Sequence, residues 1–323
     1  MNKLKTKLFA LAIITFSIIA TFGVAYAASE GTSAGTASVS SAVPTITSPE
    51  LWNMTENGNK NNTALTVNTE YHINFTIADS NTLADLNNVT IRIWLSGTAT
   101  ENGSDTQTNH YSYTWVESTD TWASLTGASY IVAANTTDPG TAYAGTSYEF
   151  RLAFKLSRTA AYATTPNWKI SIFVWDDSSN ADDEKTLMGG IAFYSEISIT
   201  DTTHAWAALT PGGSNNVTVG GDGDIDFTVI ANAAWDGETK ANAALTKGGD
   251  TIALTNLRFH KTTLASSAAI TTTYQDIGAL TNQTATTDEA SPTATYETLW
   301  LTVPSGTPSG DYTYTLYIQI TQT

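Results

Sequence analysis

The sequence of 323 residues contains no cysteine, so no disulfide bond can stabilise the folded chain. Basic residues are also few, because 14 Lys and Arg stand against 30 Asp and Glu and the formal net charge is −16. A chain with so little positive charge has no surface that would neutralise a row of phosphates. We therefore predict that the protein does not bind nucleic acid and that packing, ions or assembly supply its stability.

Long apolar runs are scarce as well, and the one that stands out is residues 8–24 (LFALAIITFSIIATFGV). Lys3, Lys5 and Lys7 precede this run, and the small residues of Ala25-Tyr26-Ala27 follow it. This order is typical of a secretory signal peptide, and we predict that residues 1–27 are cleaved. No later run is apolar enough to span a membrane, so the mature chain is expected outside the cell or on its surface.

Helical patterns are absent from the mature chain, in which small polar residues 28–43 form a predicted flexible leader. From residue 44 the apolar residues recur at every second position, which indicates strands with one buried face. The clearest run is Tyr148, Phe150, Leu152, Phe154 and Leu156. Similar runs are centred on 71–77, 89–95, 111–115, 170–174, 191–193, 197–199, 225–231, 251–258, 270–277, 295–303 and 312–320.

The number and spacing of these strands predict an all-β protein with two immunoglobulin-like or fibronectin-like sandwich domains. The first domain is predicted over residues 44–200 and the second over residues 201–323. Trp115 and Trp168 are expected to fill the first core. The turn PSGTPSG at 304–310 separates the last two predicted strands.

Two stretches resemble known surface proteins. The ending VPSGTPSGDYTYTLYIQI (303–320) resembles the last two strands of immunoglobulin-like modules in prokaryotic surface proteins. The stretch KISIFVWDDSSNADDEKTLMGGIAFYSEISI (169–199) resembles hairpins of exported archaeal proteins of the S-layer and filament type. The resemblance implies an archaeal cell-surface protein, but it contains no signature motif and so assigns no site residue.

Five carboxylates crowd into nine positions between two predicted strands: Asp176, Asp177, Asp182, Asp183 and Glu184. Because Ile170, Ile172 and Val174 precede them and Ile191 and Phe193 follow, we expect them in a hairpin loop. Oxygen ligands favour calcium, although Ala181 stands where the EF-hand loop requires glycine. The stretch leaves open a solvated turn and a calcium site, whereas an exposed loop is poorly suited to catalysis.

A second acidic group is Asp222, Asp224 and Asp226, whose spacing is that of a calcium loop at its start. Along a strand the same spacing places all three on one face, opposite Ile225 and Phe227. A polar strand face and a calcium site are both consistent with this pattern. Apart from structural calcium, no cofactor is predicted.

Patterns that indicate catalysis are missing. The histidines are scattered at positions 72, 110, 204 and 260, without the spacing of a metal motif. Residues 31–35 match the nucleophile-elbow pattern G-x-S-x-G, but they lie in the polar leader and not between a strand and a helix. We therefore predict that the protein is not an enzyme.

Two further features concern the surface. Trp94, Trp175 and Trp206 fall on the polar phase of strands or near strand ends, as in an exposed aromatic strip that binds sugars or a partner subunit. The chain also contains eight N-x-S/T sequons, which permit glycosylation. Their asparagines are Asn53, Asn61, Asn74, Asn88, Asn102, Asn135, Asn216 and Asn282.

The stretch 36–46 of the leader suggests how copies assemble. Val39 and Val43 share one phase of an extended chain, and Ile46 follows, so these side chains could enter apolar pockets of a neighbour. The hypothesis is a surface structural protein that forms a filament or layer from copies of itself by donor-strand exchange. The alternative for the leader is a disordered spacer between the sandwich and the cell. The alternative function is a monomeric adhesin or carbohydrate-binding protein with surface glycans as partners.

Overall fold

The structure is a computed structural model, and it describes residues 36–38, 40, 42–124, 130–141, 143–164, 167–177, 180–214, 216–217 and 224–323. The side chains of Asn180, Asp182, Glu184 and Val217 lie outside this description. So do the predicted signal peptide (1–27), most of the leader, Val39 and Asp222. The described residues form strands and short 3₁₀ turns, which confirms the all-β prediction. No helix within these ranges is long and apolar enough to cross a membrane.

The first group of strands contains β1 (Thr45–Asn53), β2 (Thr63–Leu65), β3 (Glu70–Ala78), β4 (Leu86–Leu95), β5 (His110–Val116), β6 (Thr121–Ser124), β7 (Ser147–Lys155), β8 (Trp168–Asp176), β9 (Asn180–Lys185) and β10 (Met188–Ile191). Antiparallel pairing gives one sheet with the order β1-β3-β7 and another with the order β6-β5-β4-β8-β9. A short parallel pair joins β10 to β2. Among the described residues, 3₁₀ turns lie at Leu83–Asp85, Glu117–Thr119 and Ala133–Asn135.

The first core forms where the inward faces of these two sheets meet. In β3 the alternation of the sequence becomes alternation of burial, and Ile73, Phe75 and Ile77 are buried. Phe75 stacks on Phe150 of the paired strand β7 with 5.4 Å between ring centroids. Trp115 and Trp168 are fully buried, as the sequence predicted.

The second group of strands contains β11 (Ser195–Ile199), β12 (Asn216–Val217), β13 (Asp224–Ala231), β14 (Trp235–Ala241), β15 (Leu245–Lys247), β16 (Asp250–Ile252), β17 (Leu257–His260), β18 (Ala268–Ala269), β19 (Gln275–Asp276), β20 (Thr293–Leu301) and β21 (Leu316–Gln322). One sheet has the order β11-β13-β20-β17-β18, with β12 also on β20, and another has the order β19-β14-β21. The pair β15-β16 stands apart, and 3₁₀ turns lie at Leu254–Asn256 and Leu264–Ser266.

A separate core lies between these sheets, with Phe227, Trp235 and Phe259 at its centre. Ile197 and Ile199 of β11 pack against this core, and β11 pairs with β13. The strand that we predicted at 197–199 and grouped with residues 44–200 therefore lies in the second group.

Two predicted strands of the second group are wrong. Residues 251–258 do not form one strand, since a 3₁₀ turn separates β16 from β17. Within 270–277 the strand is limited to Gln275–Asp276. Here the Thr271 hydroxyl accepts from the Thr273 N–H at 3.3 Å and donates to its carbonyl at 2.9 Å, and such side-chain bonds compete with a ladder.

Strand β14 was not predicted, although it is central in its sheet. Its inward positions are Trp235, Gly237, Thr239 and Ala241, all buried. A glycine and a threonine interrupt the apolar alternation, so the period-two signal is lost. The space at Gly237 is filled by Leu280, which lies 3.2 Å from where a Cβ atom would stand.

Asn232, in the turn between β13 and β14, joins the second group of strands to the first. Its Nδ2 donates to the carbonyl oxygens of Ala160 and Ala192, each at 3.0 Å. Its Oδ1 accepts from the Tyr194 N–H at 2.9 Å, and the residue is 2% exposed. Every polar atom of this buried amide is therefore engaged.

Candidate functional site

The acidic stretch is divided between a strand end and an edge strand. Asp176 ends β8 and Asp177 follows it, but Asp183 lies in β9, which pairs with β8 through Ile172. The expected hairpin loop is therefore wrong for Asp182, Asp183 and Glu184, because all three positions lie within β9 (Asn180–Lys185). Asp183 makes an ion pair with Lys185 at 2.8 Å. Charged side chains on an edge strand discourage pairing with another chain.

The fold brings two aspartates, which the sequence did not single out, close to Asp176 and Asp177. Asp79 follows the end of β3, and Asp85 closes the 3₁₀ turn before β4. We call these four residues the carboxylate cluster. The main chain holds it together, since the Asp177 N–H donates to the Asp85 carbonyl at 3.1 Å. The Asn87 amide donates to Asp177 Oδ1 at 3.0 Å.

Two carboxylate oxygens of the cluster, on Asp79 and Asp85, are buried without a hydrogen-bond partner. Asp79 is 2% exposed, and its Oδ1 accepts from the Asn81 N–H at 2.8 Å, whereas its Oδ2 has no hydrogen-bond partner. Asp85 Oδ1 is also buried without a partner. Burial raises the pKa of Asp85, and the charge of Asp79, followed by those of Asp176 and Asp177, raises it further. The cluster is thus a place of mutual repulsion that a cation would relieve.

The geometry does not form a finished metal cage. Across the described ranges, no three acidic or histidine side chains are placed so that they could hold a metal ion. Asp222 lies outside the described residues, so the predicted set Asp222, Asp224 and Asp226 is incomplete. Asp224 and Asp226 are half-buried and alternate with buried Ile225 and Phe227, which is the alternation expected of a polar strand face. Calcium binding at either acidic group stays a prediction.

The buried histidines hold loops and strands together. His110 is fully buried, with Nδ1 2.7 Å from Asp105 and Nε2 2.9 Å from the Glu101 carbonyl. Burial lowers the pKa of His110, but these two hydrogen bonds outweigh it and leave the pKa above its ordinary value. His72 lies between Glu56 at 2.8 Å and Glu70 at 3.0 Å. The contacts of His110 and those of His72 each connect neighbouring segments of the first group of strands.

The predicted aromatic strip is partly wrong. Trp94 is only 5% exposed, and the Lys169 amine lies 6.0 Å from its ring centroid. Trp175 is half-buried and stacks on Phe173 with 5.6 Å between centroids, and the Arg92 guanidinium lies 4.5 Å from the Phe173 centroid. Phe173 and Trp175 therefore form a small aromatic patch on the outer face of β8.

Trp206 lies elsewhere, at the end of the second core. It packs against Tyr314 at 6.2 Å between ring centroids and donates to the Asn216 carbonyl at 2.9 Å. His204 completes this group with its Nε2 2.5 Å from the Tyr314 hydroxyl. Burial lowers the pKa of His204 and raises that of Tyr314 well above its ordinary value.

The sequence did not single out the carboxyl group of Glu297, which is buried in the structure. Glu297 of β20 is fully buried in the second core, and neither of its oxygens makes a hydrogen bond. The nearby Thr239 hydroxyl, which lowers the pKa, donates instead to the Tyr317 carbonyl at 3.3 Å. Burial prevails and raises the pKa of Glu297 to about 8. In the sequence Glu297 shares the phase of the inward apolar residues of β20, and this position could have indicated that its carboxyl group is buried.

The eight sequon asparagines are all at least partly exposed. Asn102, Asn135 and Asn282 are exposed, and the others are half-buried. Some amide nitrogens already donate hydrogen bonds, as in Asn216, which donates to the Leu301 carbonyl at 3.1 Å. Glycosylation of any of them stays a prediction.

The described end of the leader is joined to the carboxylate cluster. The Ala42 N–H donates to Asn81 Oδ1 at 2.7 Å, and the main chain of Asn81 in turn caps Asp79. Val43 is 56% exposed, whereas Ile46 in β1 packs against the first core. Ile46 is therefore partly buried against the first core, whereas Val43 is exposed to solvent. Val39 lies outside the described residues.

No protein-family model matches this chain, and no curated protein matches it significantly.

Proposed function

We propose that this protein is a non-enzymatic structural protein, exported by its signal peptide and assembled at the cell surface. Two immunoglobulin-like sandwiches form the subunit, and residues 28–44 form an arm that donates a strand to a neighbouring copy. Such head-to-tail exchange gives an open-ended polymer, which is a filament or a surface layer. In a chain without cysteine, a donated strand also supplies stability that a disulfide supplies elsewhere.

The exposed Val43 at the root of the arm carries this proposal. It is one of three large apolar side chains described as strongly exposed, together with Met54 and Tyr317. It lies immediately before Pro44 and the edge strand β1, where the chain leaves the first group of strands. An apolar side chain presented there on an otherwise polar segment favours a contact made with another molecule.

The joint between the two groups of strands supports a role that transmits force. Besides Asn232, Arg158 makes ion pairs with Glu196 at 2.8 Å and with Glu289 at 3.3 Å. These bonds fasten the segment after β7 to β11 and to the loop before β20. A subunit in a polymer benefits from such a joint, because strain is then not concentrated in a flexible linker.

Polymerisation of the mature chain tests the proposal. Residues 28–323 should form filaments or sheets in negative-stain electron microscopy and should sediment rapidly, whereas residues 44–323 should stay monomeric and keep a folded circular dichroism spectrum. Two double variants of the full-length arm test whether assembly depends on the side chains of the arm or only on its length. Val39→Asp with Val43→Asp should prevent assembly, and Ser38→Asp with Ser40→Asp, which adds the same charge in the opposite phase, should not. Equal assembly of the truncated and full mature chains would exclude strand donation.

The aromatic patch supports a second candidate function, a monomeric carbohydrate-binding protein. Phe173 and Trp175 stack on one face with Arg92 beside them, and rings of this kind stack on sugars. This candidate predicts a monodisperse mature chain that binds glycans in an array and loses that binding in Trp175→Ala. A Trp94→Phe variant is the control, since Trp94 is buried.

A further inference from the structure

The second group of strands has two unpaired edges that lie side by side. Strand β11 ends one sheet and strand β21 ends the other, and no other described strand pairs with the outer edge of either. The Ser195 hydroxyl of β11 lies 3.5 Å from the Ile320 carbonyl of β21, so the two edges adjoin. We call the strip between them the β11–β21 seam.

Inward side chains along this seam are incompletely covered. Five of them pack against the second core while staying only partly buried: Ile197, Ile199, Leu316, Ile318 and Ile320. On the neighbouring strand β13 the inward residues Ile225, Phe227 and Val229 are at most 2% exposed. The seam therefore exposes apolar side-chain surface to water, whereas the inward side chains of the interior strand β13 are almost fully covered.

The opposite side of the same sandwich is closed. There the segments next to β18 and β19 bury Ile270 and Ile277, which are 1% and 0% exposed. Incomplete coverage is thus a property of one side and not of the whole core. An added strand at this side would cover the five apolar side chains and would bond main-chain groups of the outer edges, with which no other described strand pairs.

We propose that the β11–β21 seam accepts the arm, residues 28–44, of a second copy of this chain. The inference rests on the proposed strand donation and identifies its acceptor. The donated strand pairs with the open edge of β21 and turns Val39 and Val43 toward the isoleucines of the seam.

The arm suits this position in length and in chemistry. Its 17 residues span about 55 Å when extended, and the seven residues of β21 span about 23 Å, so the arm is long enough to run along the whole of β21. Its one charged residue is Glu30, far from the valines. An uncharged strand with small and β-branched residues places no charge against the apolar seam.

The absence of cysteine allows a direct test, because single cysteines introduced by mutation have no native competitor. Mature chains with Val43→Cys are mixed with mature chains with Ile318→Cys, allowed to assemble and oxidised. The mixed disulfide is measured by mass spectrometry, so that contacts between copies alone are counted. The control partner is Ala269→Cys in β18, at the closed side. Circular dichroism confirms that each variant is folded.

We expect the mixed disulfide with position 318 to exceed that with position 269 several-fold, and only under conditions of assembly. If polymers form but the disulfide with position 318 is absent, or no more abundant than that with position 269, the seam is not the acceptor. That outcome would not contradict strand donation itself. A wild-type mature chain that never polymerises would overturn both. A disulfide with position 269 alone would assign the arm to the opposite edge.

Discussion

Arg158 donates two hydrogen bonds to one oxygen of Glu289, from its main-chain N–H at 3.2 Å and from its Nε at 3.3 Å. The other oxygen of Glu289 accepts from the Tyr130 hydroxyl at 2.8 Å. Burial raises the pKa of Glu289, but the hydrogen bonds from Tyr130 and Arg158 outweigh it and hold the pKa below its ordinary value. This carboxylate therefore links a residue of the second group of strands to two residues associated with the first.

Glu289→Gln should destabilise the protein by about 1–3 kcal/mol at pH 7, because an amide nitrogen cannot accept the bonds that one carboxylate oxygen now receives. Chemical denaturation measures the loss, with the exposed Glu149→Gln as control. Since the folded-state pKa is lowered, the stabilisation is present above the ordinary value of 4.5 and is lost as pH falls through the folded-state pKa. A difference between wild type and variant that persists at pH 2 would contradict this account.

Glu297 predicts a pH dependence of the opposite sign. Its folded-state pKa of about 8 exceeds the ordinary 4.5, so the native state binds the proton more tightly. The stabilisation is full below pH 4.5 and is lost as pH rises through 8. In Glu297→Gln the side chain stays neutral, and the variant should become the more stable protein, by several kcal/mol, between pH 5 and pH 9. Thermal melts across this range measure the crossover, and parallel curves would show that Glu297 is not protonated in the folded state.

The carboxylate cluster gives a prediction in the absence of metal. Asp79→Asn can keep the Oδ1 acceptor for the Asn81 N–H while it removes the charge beside Asp85. We therefore expect a higher melting temperature in EGTA, by an amount that corresponds to about 1 kcal/mol. Asp183→Asn on β9 is the control, because Asp183 is paired with Lys185.

The wild type and Asp79→Asn also test whether the carboxylate cluster binds calcium. The calcium hypothesis predicts that added Ca²⁺ raises the melting temperature of the wild type, by about 2.7 kcal/mol of stability at a hundredfold excess over Kd, and has little effect on Asp79→Asn. Identical wild-type melts in Ca²⁺ and in EGTA would remove the hypothesis for this cluster.

Gly237→Ala tests how tightly β14 packs. The new methyl group would lie 3.2 Å from Leu280, so the core must shift, and we expect a loss of about 1–3 kcal/mol. Gly249→Ala is the matched control, because nothing lies within 4 Å of its added Cβ. Equal stability of the two variants in urea denaturation would mean that Leu280 moves aside without cost.

The sequence by itself determined the class of fold. Alternation along Phe150, Leu152 and Phe154 is a local property, since successive side chains of a strand point to opposite faces, and it needs no knowledge of the partner strand. The burial of Trp115 and Trp168 followed from the same pattern. Acidic composition and the absence of cysteine were equally readable without coordinates.

Tertiary structure alone decided which residues meet. Asp79 and Asp176 are far apart in the sequence, and only the placing of the ends of β3 and β8 brings both to Asp85. Strand β9 has charged residues, so its pairing with β8, and not its own pattern, makes it a strand. The β11–β21 seam is likewise invisible in sequence, because an isoleucine on the inward phase looks the same whether its strand is central or at an edge. Burial depends on neighbours that the fold supplies, and the period of a strand reports only the direction in which each side chain points.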